Sequence, residues 1–269
     1  MTIEPFCTED IPSFLKLASA ERWLVDTWEF DFLRKTFPQG CFRARDNTGR
    51  AAGFVTSLAH DRSGWIGNLI VNPASRGSGI GRQLFLRAVE VLLESGVQTI
   101  WLTASKTGRP LYEKQGFSAV DGIVRWTGTG NGSSRSAVTT GTVSVPSLDR
   151  LGWGDDRENL LAAVAARGRV LASSGGFTVI QPCNGSAQIG PFAALDSACA
   201  EALLGDALAS IPHDIEIYID APAGNTAATD LLGRNGFRKL GTSELMFAGT
   251  RPEYRPEYIY GLASMGSMG

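Results

Sequence analysis

The hexapeptide Arg76-Gly77-Ser78-Gly79-Ile80-Gly81 stands between an apolar run at 66–71 and an amphipathic segment at 80–93. Glycines after a strand let the backbone curl tightly, and the exposed amides at the start of the next helix attract an anion. The chemistry on offer is the grip of a phosphate-bearing cofactor. Two nucleotide motifs fail on spacing. G-x-G-x-x-G would need glycine at position 82, where Arg82 stands, and no G-x-x-x-x-G-K-[ST] run occurs.

What the loop does match is [RQ]-x-x-G-x-[GA], as Arg76, Gly79 and Gly81. Following a strand that ends Asn68-Leu69-Ile70-Val71-Asn72-Pro73, it resembles the acyl-coenzyme A pyrophosphate loop of the GNAT superfamily of N-acetyltransferases. Downstream, Leu111-Tyr112-Glu113-Lys114-Gln115-Gly116-Phe117 is similar to the superfamily's LYEKxGF segment, with Tyr112 where the family carries its general acid. The resemblance implies acetyl-CoA as acyl donor and transfer to a primary amine of a small molecule, by direct attack in a ternary complex. The cofactor residues it implies are Leu69, Ile70, Val71, Arg76, Gly77, Ser78, Gly79, Ile80 and Gly81, joined by Ser105, Gly108, Leu111 and Lys114. Backbone groups of Leu69 and Val71 would pair with the pantetheine arm, and Arg76 would add charge or brace the loop.

A phenol with a pKa near ~10 can pass a proton to a thiolate without a metal, which suits Tyr112 to the acid's role. The base that deprotonates the amine is not fixed. Asp26, Glu29 and Asp31 in an aromatic-rich segment, Asp220 at a strand end, and Asn68 as a water holder all stand as candidates. Trp23, Trp28, Asn68 and Asp220 are the candidate acceptor-binding residues. Two other functions stay open: a protein or peptide lysine acetyltransferase, and a non-catalytic acyl-CoA-binding sensor.

These residues need elements to hold them. Strands are expected at 1–6, 41–45, 51–58, 66–71 and 99–103, and helices at 11–17, 80–93 and 105–115. Gly, Ser and Thr crowd 128–139, which reads as a flexible linker. Beyond it the layout recurs: a hairpin at 169–182, then helix, strand, helix, and Gly236-Phe237 echoing Gly116-Phe117. The expected organisation is therefore a GNAT N-acetyltransferase domain at 1–127, the linker, and a degenerate GNAT-like domain at 140–269. The fold class is mixed α/β, with a central twisted, mostly antiparallel sheet flanked by helices in each domain. In the second copy Asp196 stands where pyrophosphate would lie, an unfavourable charge, and Leu232 replaces Tyr112. The acceptor is expected in the cleft between the domains.

Composition narrows the class. The 269 residues are 43% hydrophobic and 19% charged, with a formal net charge of −2, so there is no basic footprint for nucleic acid or an anionic membrane. No apolar stretch reaches bilayer length and the first residues do not read as a leader, so a cytoplasmic protein is expected. Two histidines and four scattered cysteines exclude a His-rich metal site and argue against a disulfide framework. A homodimer stays open.

Overall fold

The computed structural model describes residues 1–133 and 144–269. They form two compact units. The first comprises Met1–Leu102, Phe247–Thr250 and Gly266–Met268; the second comprises Thr103–Met246 and Arg251–Met265, with Gly269.

The first unit runs β1 (Thr2–Pro5), α1 (Ile11–Ala20), α2 (Thr27–Thr36), β2 (Phe42–Arg45), β3 (Ala51–Ala59), β4 (Ser63–Val71), α3 (Ile80–Glu94) and β5 (Thr99–Ala104), the last two residues of β5 falling to the second unit. Strands β1 to β4 pair antiparallel in sequence order, and β5 joins β4 in parallel. Helix α3 forms because Ile80, Leu84, Ala88, Val91 and Leu92 recur on one face, and that face is buried. Leu84, Phe85 and Leu92 are wholly buried, each side chain worth about 1.5–3 kcal/mol in transfer free energy. A second core layer stacks Phe6, Phe14, Phe30 and Phe54, with ring centroids 4.6–5.7 Å apart.

The β3–β4 ladder slips between Phe54/Ile70 and Thr56/Gly67, so one residue of β3 opposes two of β4. Asn68 takes the left-handed conformation there, with φ 55°. On the other side of β4, pairing with β5 covers Ser63, Gly64 and Trp65. The strands then part ahead of the glycine loop.

The second unit begins with α4 (Arg109–Glu113) and β6 (Ser118–Thr129). It continues through α5 (Val145–Trp153), α6 (Glu158–Arg167), β7 (Arg169–Ser173), β8 (Gly176–Cys183), β9 (Ser186–Ala194), α7 (Ser197–Ser210), β10 (Glu216–Pro222), α8 (Thr226–Arg234), β11 (Arg238–Gly249) and β12 (Ile259–Gly261). Strands β7, β8 and β9 are antiparallel, β10 joins β9 in parallel, and β6 pairs antiparallel with β10 from Glu216↔Thr129 to Pro222↔Ile123. Its core packs α7 and α8 onto this sheet through Leu203, Leu204, Leu208, Leu231, Leu232 and Phe237. The last three residues of β11, from Phe247, and Thr250 after them belong to the first unit, where the Thr250 amide donates to the Gln98 carbonyl (2.8 Å).

Two sequence expectations need correction. Gly128 and Thr129 lie in β6 because they pair with Ile217 and Glu216, and Asn131 and Gly132 donate to the carbonyls of Leu208 and Ile211. The expected linker is thus ordered chain up to 133, while 134–139 lie outside the described residues. The helix expected over 105–115 is confined to Arg109–Glu113, because Ser105 and Thr107 form a side-chain turn first and Pro110 favours an N-terminal helical position. Residues 103–127 belong to the second compact unit, which holds the β6–β10 ladder. Among the described residues no helix is long and apolar enough to cross a membrane.

Candidate functional site

The glycine loop is built to present amides. Pro73–Ser75 forms a short 3₁₀ turn after β4, and the chain then passes through Gly77 (φ 80°) and Gly79 (φ 82°) into α3. Gly79 is the N-cap of α3, and no side chain caps the helix, so its first-turn N–H groups carry no protein side-chain partner at the cap. Arg76 braces the loop: its Nε donates to the Val71 carbonyl at 3.1 Å and its guanidinium pairs with Glu21. Ser78 Oγ donates to the Ser75 carbonyl at 2.6 Å. Gly77, Ser78 and Gly79 are exposed, Ile80 is buried under the helix, and a Cβ on Gly81 would lie 3.3 Å from Val71 Cγ2. The dipole and the uncapped amides together make this an anion-binding end.

The second unit carries the same parts in a different state. Helix α7 is capped by Asp196, whose carboxylate accepts from the Cys199 amide at 2.8 Å. That bond holds the Asp196 carboxyl below its usual range, so the anion position is filled by a charged side chain of the chain itself. Strands β9 and β10 pair at Ala187–Ile217 and Gln188–Tyr218 and then part. The gap holds β12, which pairs with Ala193 and Phe192 of β9, while the Leu262 amide donates to the Asp220 carbonyl of β10 at 2.8 Å. Gly190 is required where this segment passes, since any Cβ would overlap the Leu262 carbonyl. In the first unit, by contrast, no strand of the described residues is laid between β4 and β5.

Along β4, Leu69 and Val71 are half-buried and Ile70 is buried. Asn68 is buried, its amide nitrogen donating to Glu29 Oε1 (2.6 Å) and Thr56 Oγ1 (3.1 Å), and its backbone N–H to the Gly266 carbonyl (3.2 Å). Trp28 is half-buried and stacks on Phe32 with centroids 5.5 Å apart, whereas Trp23 is exposed and lies tilted against Phe14 at 6.5 Å. Trp65 is core.

Of the residues in the second unit, Ser105 Oγ accepts from the Gly108 amide at 3.1 Å, Leu111 is half-buried and Lys114 is exposed. Tyr112 is buried beside Phe117, and burial pushes its phenol up to about 12. Asp220, expected as an acceptor-binding residue or a base, is engaged by side chains of its own unit. It is wholly buried, and Arg125 holds its two oxygens through Nε and Nη2 at 2.7 Å each, with Gln188 adding a third bond at 3.2 Å. Those three bonds take most of a carboxylate's about four acceptor positions. Sequence reasoning could not see this, because its partner lies 95 residues away.

Comparison with known proteins matches each half of the chain. An acetyltransferase (GNAT) family model covers residues 6–117, and an acetyltransferase (GNAT) domain model covers 145–261. The bS18-alanine N-acetyltransferase of Haemophilus influenzae is 43% identical over 56 residues, 20% of this chain and 38% of that protein. Glucosamine 6-phosphate N-acetyltransferase of Trypanosoma brucei brucei is 36% identical over 79 residues, 27% of this chain and 54% of that protein. The chain thus spans about half or less of those two relatives. Holothin acyltransferase of a Pseudoalteromonas strain matches at 21% identity over 98% of this chain and 93% of its own length. Among solved structures, a candidate acetyltransferase of Pyrococcus horikoshii superposes with a TM-score of 0.85 at 25% identity, over 100% of this chain and 95% of that one.

Proposed function

Starting from the chain's membership of the GNAT acyltransferase superfamily, to which it belongs as two domains in tandem, we propose that it transfers an acetyl group from acetyl-CoA to a primary amine of a small molecule. The observation that carries this reading is the uncapped, arginine-braced amide loop at the start of α3, set against the capped α7 of the second copy. The residues present fit the cofactor: amides of Gly77 to Gly81 for the diphosphate, and the free side of β4 at Leu69, Ile70 and Val71 for the pantetheine arm. The relatives named above are named for the alanine of a ribosomal protein, glucosamine 6-phosphate and holothin, and this reading adopts amines as the acceptor class.

The transfer proceeds without a covalent acyl-enzyme. Cys41 is buried and its thiol is pushed up to about 12, and the thiols of Cys7 and Cys199 are also raised, Cys7 chiefly by its bond to Asp10 and Cys199 chiefly by burial. None of these three is poised as a thiolate near neutral pH. The amine nitrogen attacks the thioester carbonyl carbon, the carbon–sulfur bond breaks, and the sulfur needs a hydrogen-bond donor. Tyr112 supplies it. A phenol at about 12 stays protonated throughout the working range, but full transfer to a thiolate with a pKa near ~8.5 is uphill, so it acts mainly by hydrogen bonding.

Calorimetric titration with acetyl-CoA, followed by thiol release in the presence of primary amines, tests the reading. Saturable heat and amine-dependent thiol are expected. A titration without heat would overturn it.

A further inference from the structure

Acyl-CoA thioesters differ in chain length, and the first unit holds a segment placed to select among them. Resting on the acetyl-transfer reading, we propose that the backbone of Gly266–Met268 is the wall that ends the acyl site and restricts the donor to short acyl groups. The direction in which the cofactor lies along β4 fixes where its acyl group falls. The diphosphate is assigned to the loop after Val71, and the pantetheine arm to Val71 and Leu69. An arm laid on the strand in that order runs back toward the start of β4, which rises about 3.3 Å per residue. Its thioester end comes to Leu69, and the acyl group extends past it toward Asn68 and Gly67.

Gly266–Met268 meets the strand at those two residues. The Asn68 N–H donates to the Gly266 carbonyl at 3.2 Å. A Cβ built on Gly67 would stand 2.4 Å from the Gly266 carbonyl oxygen and 2.5 Å from Ser267 Cα. Two backbones approach that closely only over a residue without a side chain, which is what glycine at 67 allows. The slip in the β3–β4 ladder and the left-handed Asn68 fall at the same place, so β4 leaves its regular course where the segment meets it. Gly266 is exposed, as a residue bordering an open cofactor channel should be, whereas Ser267 and Met268 are buried, with 1% and 2% of their surface exposed. All three belong to the first unit.

Main-chain atoms make a wall of fixed position. A side chain can rotate away from a longer acyl group. The Gly266 carbonyl, bonded to Asn68 and packed on Gly67, can retreat only by losing both contacts. An acetyl group stops beside Asn68, while propionyl and butyryl groups add methylenes in the direction of the segment. A methylene that does not suit its pocket costs about 10–200-fold in discrimination.

The test is calorimetric titration of the full chain with acetyl-CoA, butyryl-CoA and hexanoyl-CoA, which needs no amine acceptor. Butyryl-CoA is expected to bind about tenfold more weakly than acetyl-CoA or worse, and hexanoyl-CoA more weakly still. Gly67→Ala forces the segment off the strand, so the affinity for butyryl-CoA relative to acetyl-CoA should rise about tenfold, with acetyl-CoA affinity unchanged. If Gly67→Ala does not fold, a chain ending at Met265 carries the same comparison. A folded variant that weakens all three thioesters alike shows a merely structural role and overturns the wall. Equal affinity of the unaltered protein for acetyl-CoA and butyryl-CoA overturns it as well, and leaves the acetyl-transfer reading standing. No heat with any of the three sinks that reading itself, and the wall with it.

Discussion

At the scale of single residues, burial decides what each polar group can do. Tyr112 is the clearest case, because its environment sets both its chemistry and its contribution to stability. On the proposed mechanism Tyr112→Phe removes the donor to the leaving sulfur, so kcat should fall about 10²-fold with acetyl-CoA affinity little changed, measured by thiol release and calorimetry. The same variant has an alkaline signature. The folded phenol titrates near 12 and the unfolded one near ~10, so the unfolded chain loses its proton first and the native protein loses stability as pH rises through that window. Below pH ~10 both states are protonated and the group contributes no pH dependence. The unfolding free energy of wild type relative to Tyr112→Phe, from denaturant titration, should therefore fall between pH 10 and 12 by on the order of 2 kcal/mol. A pH-independent difference would place the hydroxyl in a solvated setting.

Among elements, the glycine loop and α3 form one device. Gly79 has open space where a methyl group would project, so Gly79→Ala meets no clash and its cost is the left-handed backbone alone, about 1–2 kcal/mol. If the loop relaxes to avoid that strain, the amides turn away from the diphosphate. Acetyl-CoA affinity should then drop about tenfold while the far-ultraviolet helix signal is retained. Unaltered affinity would remove the loop from the binding site. This device was legible in sequence because strand, glycines and amphipathic helix are all local signals. Other elements were not. Helix α5 escaped the sequence reading altogether. The true extent of β6 was hidden because Gly128 and Thr129 look like linker and become strand only by pairing with β10. The Glu29–Asn68 and Arg125–Asp220 bonds span 39 and 95 residues, distances over which side-chain type alone carries no pairing information.

On the scale of the whole molecule, the sequence repeat predicts a second copy degenerate at the loop and at Leu232, and the structure shows how that copy differs at the strand pair as well. Each unit has one parallel strand pair that parts at its end, β4 with β5 and β9 with β10. In the second unit the gap is closed from within: β12 pairs along β9, Leu262 bonds to β10, and Asn225 Nδ2 fixes the Ile259 carbonyl at 3.0 Å. At the helix end Asp196 already occupies the amide that a phosphate would need. Opening that site would break a buried strand pairing and expose Ile259 and Tyr260, both almost wholly buried. The cost of exposing two such side chains, about 1.5–3 kcal/mol each, adds to the lost hydrogen bonds and to the repulsion between Asp196 and a diphosphate. Binding should therefore be confined to one copy. Titration of the full chain with acetyl-CoA is expected to saturate at one molecule per chain, in a single phase, with Asp196→Ala leaving that ratio unchanged because β12 still fills the gap. A ratio of two, or a second phase appearing in Asp196→Ala, would mean that the inserted strand yields to the cofactor and that the second copy has kept its capacity to bind.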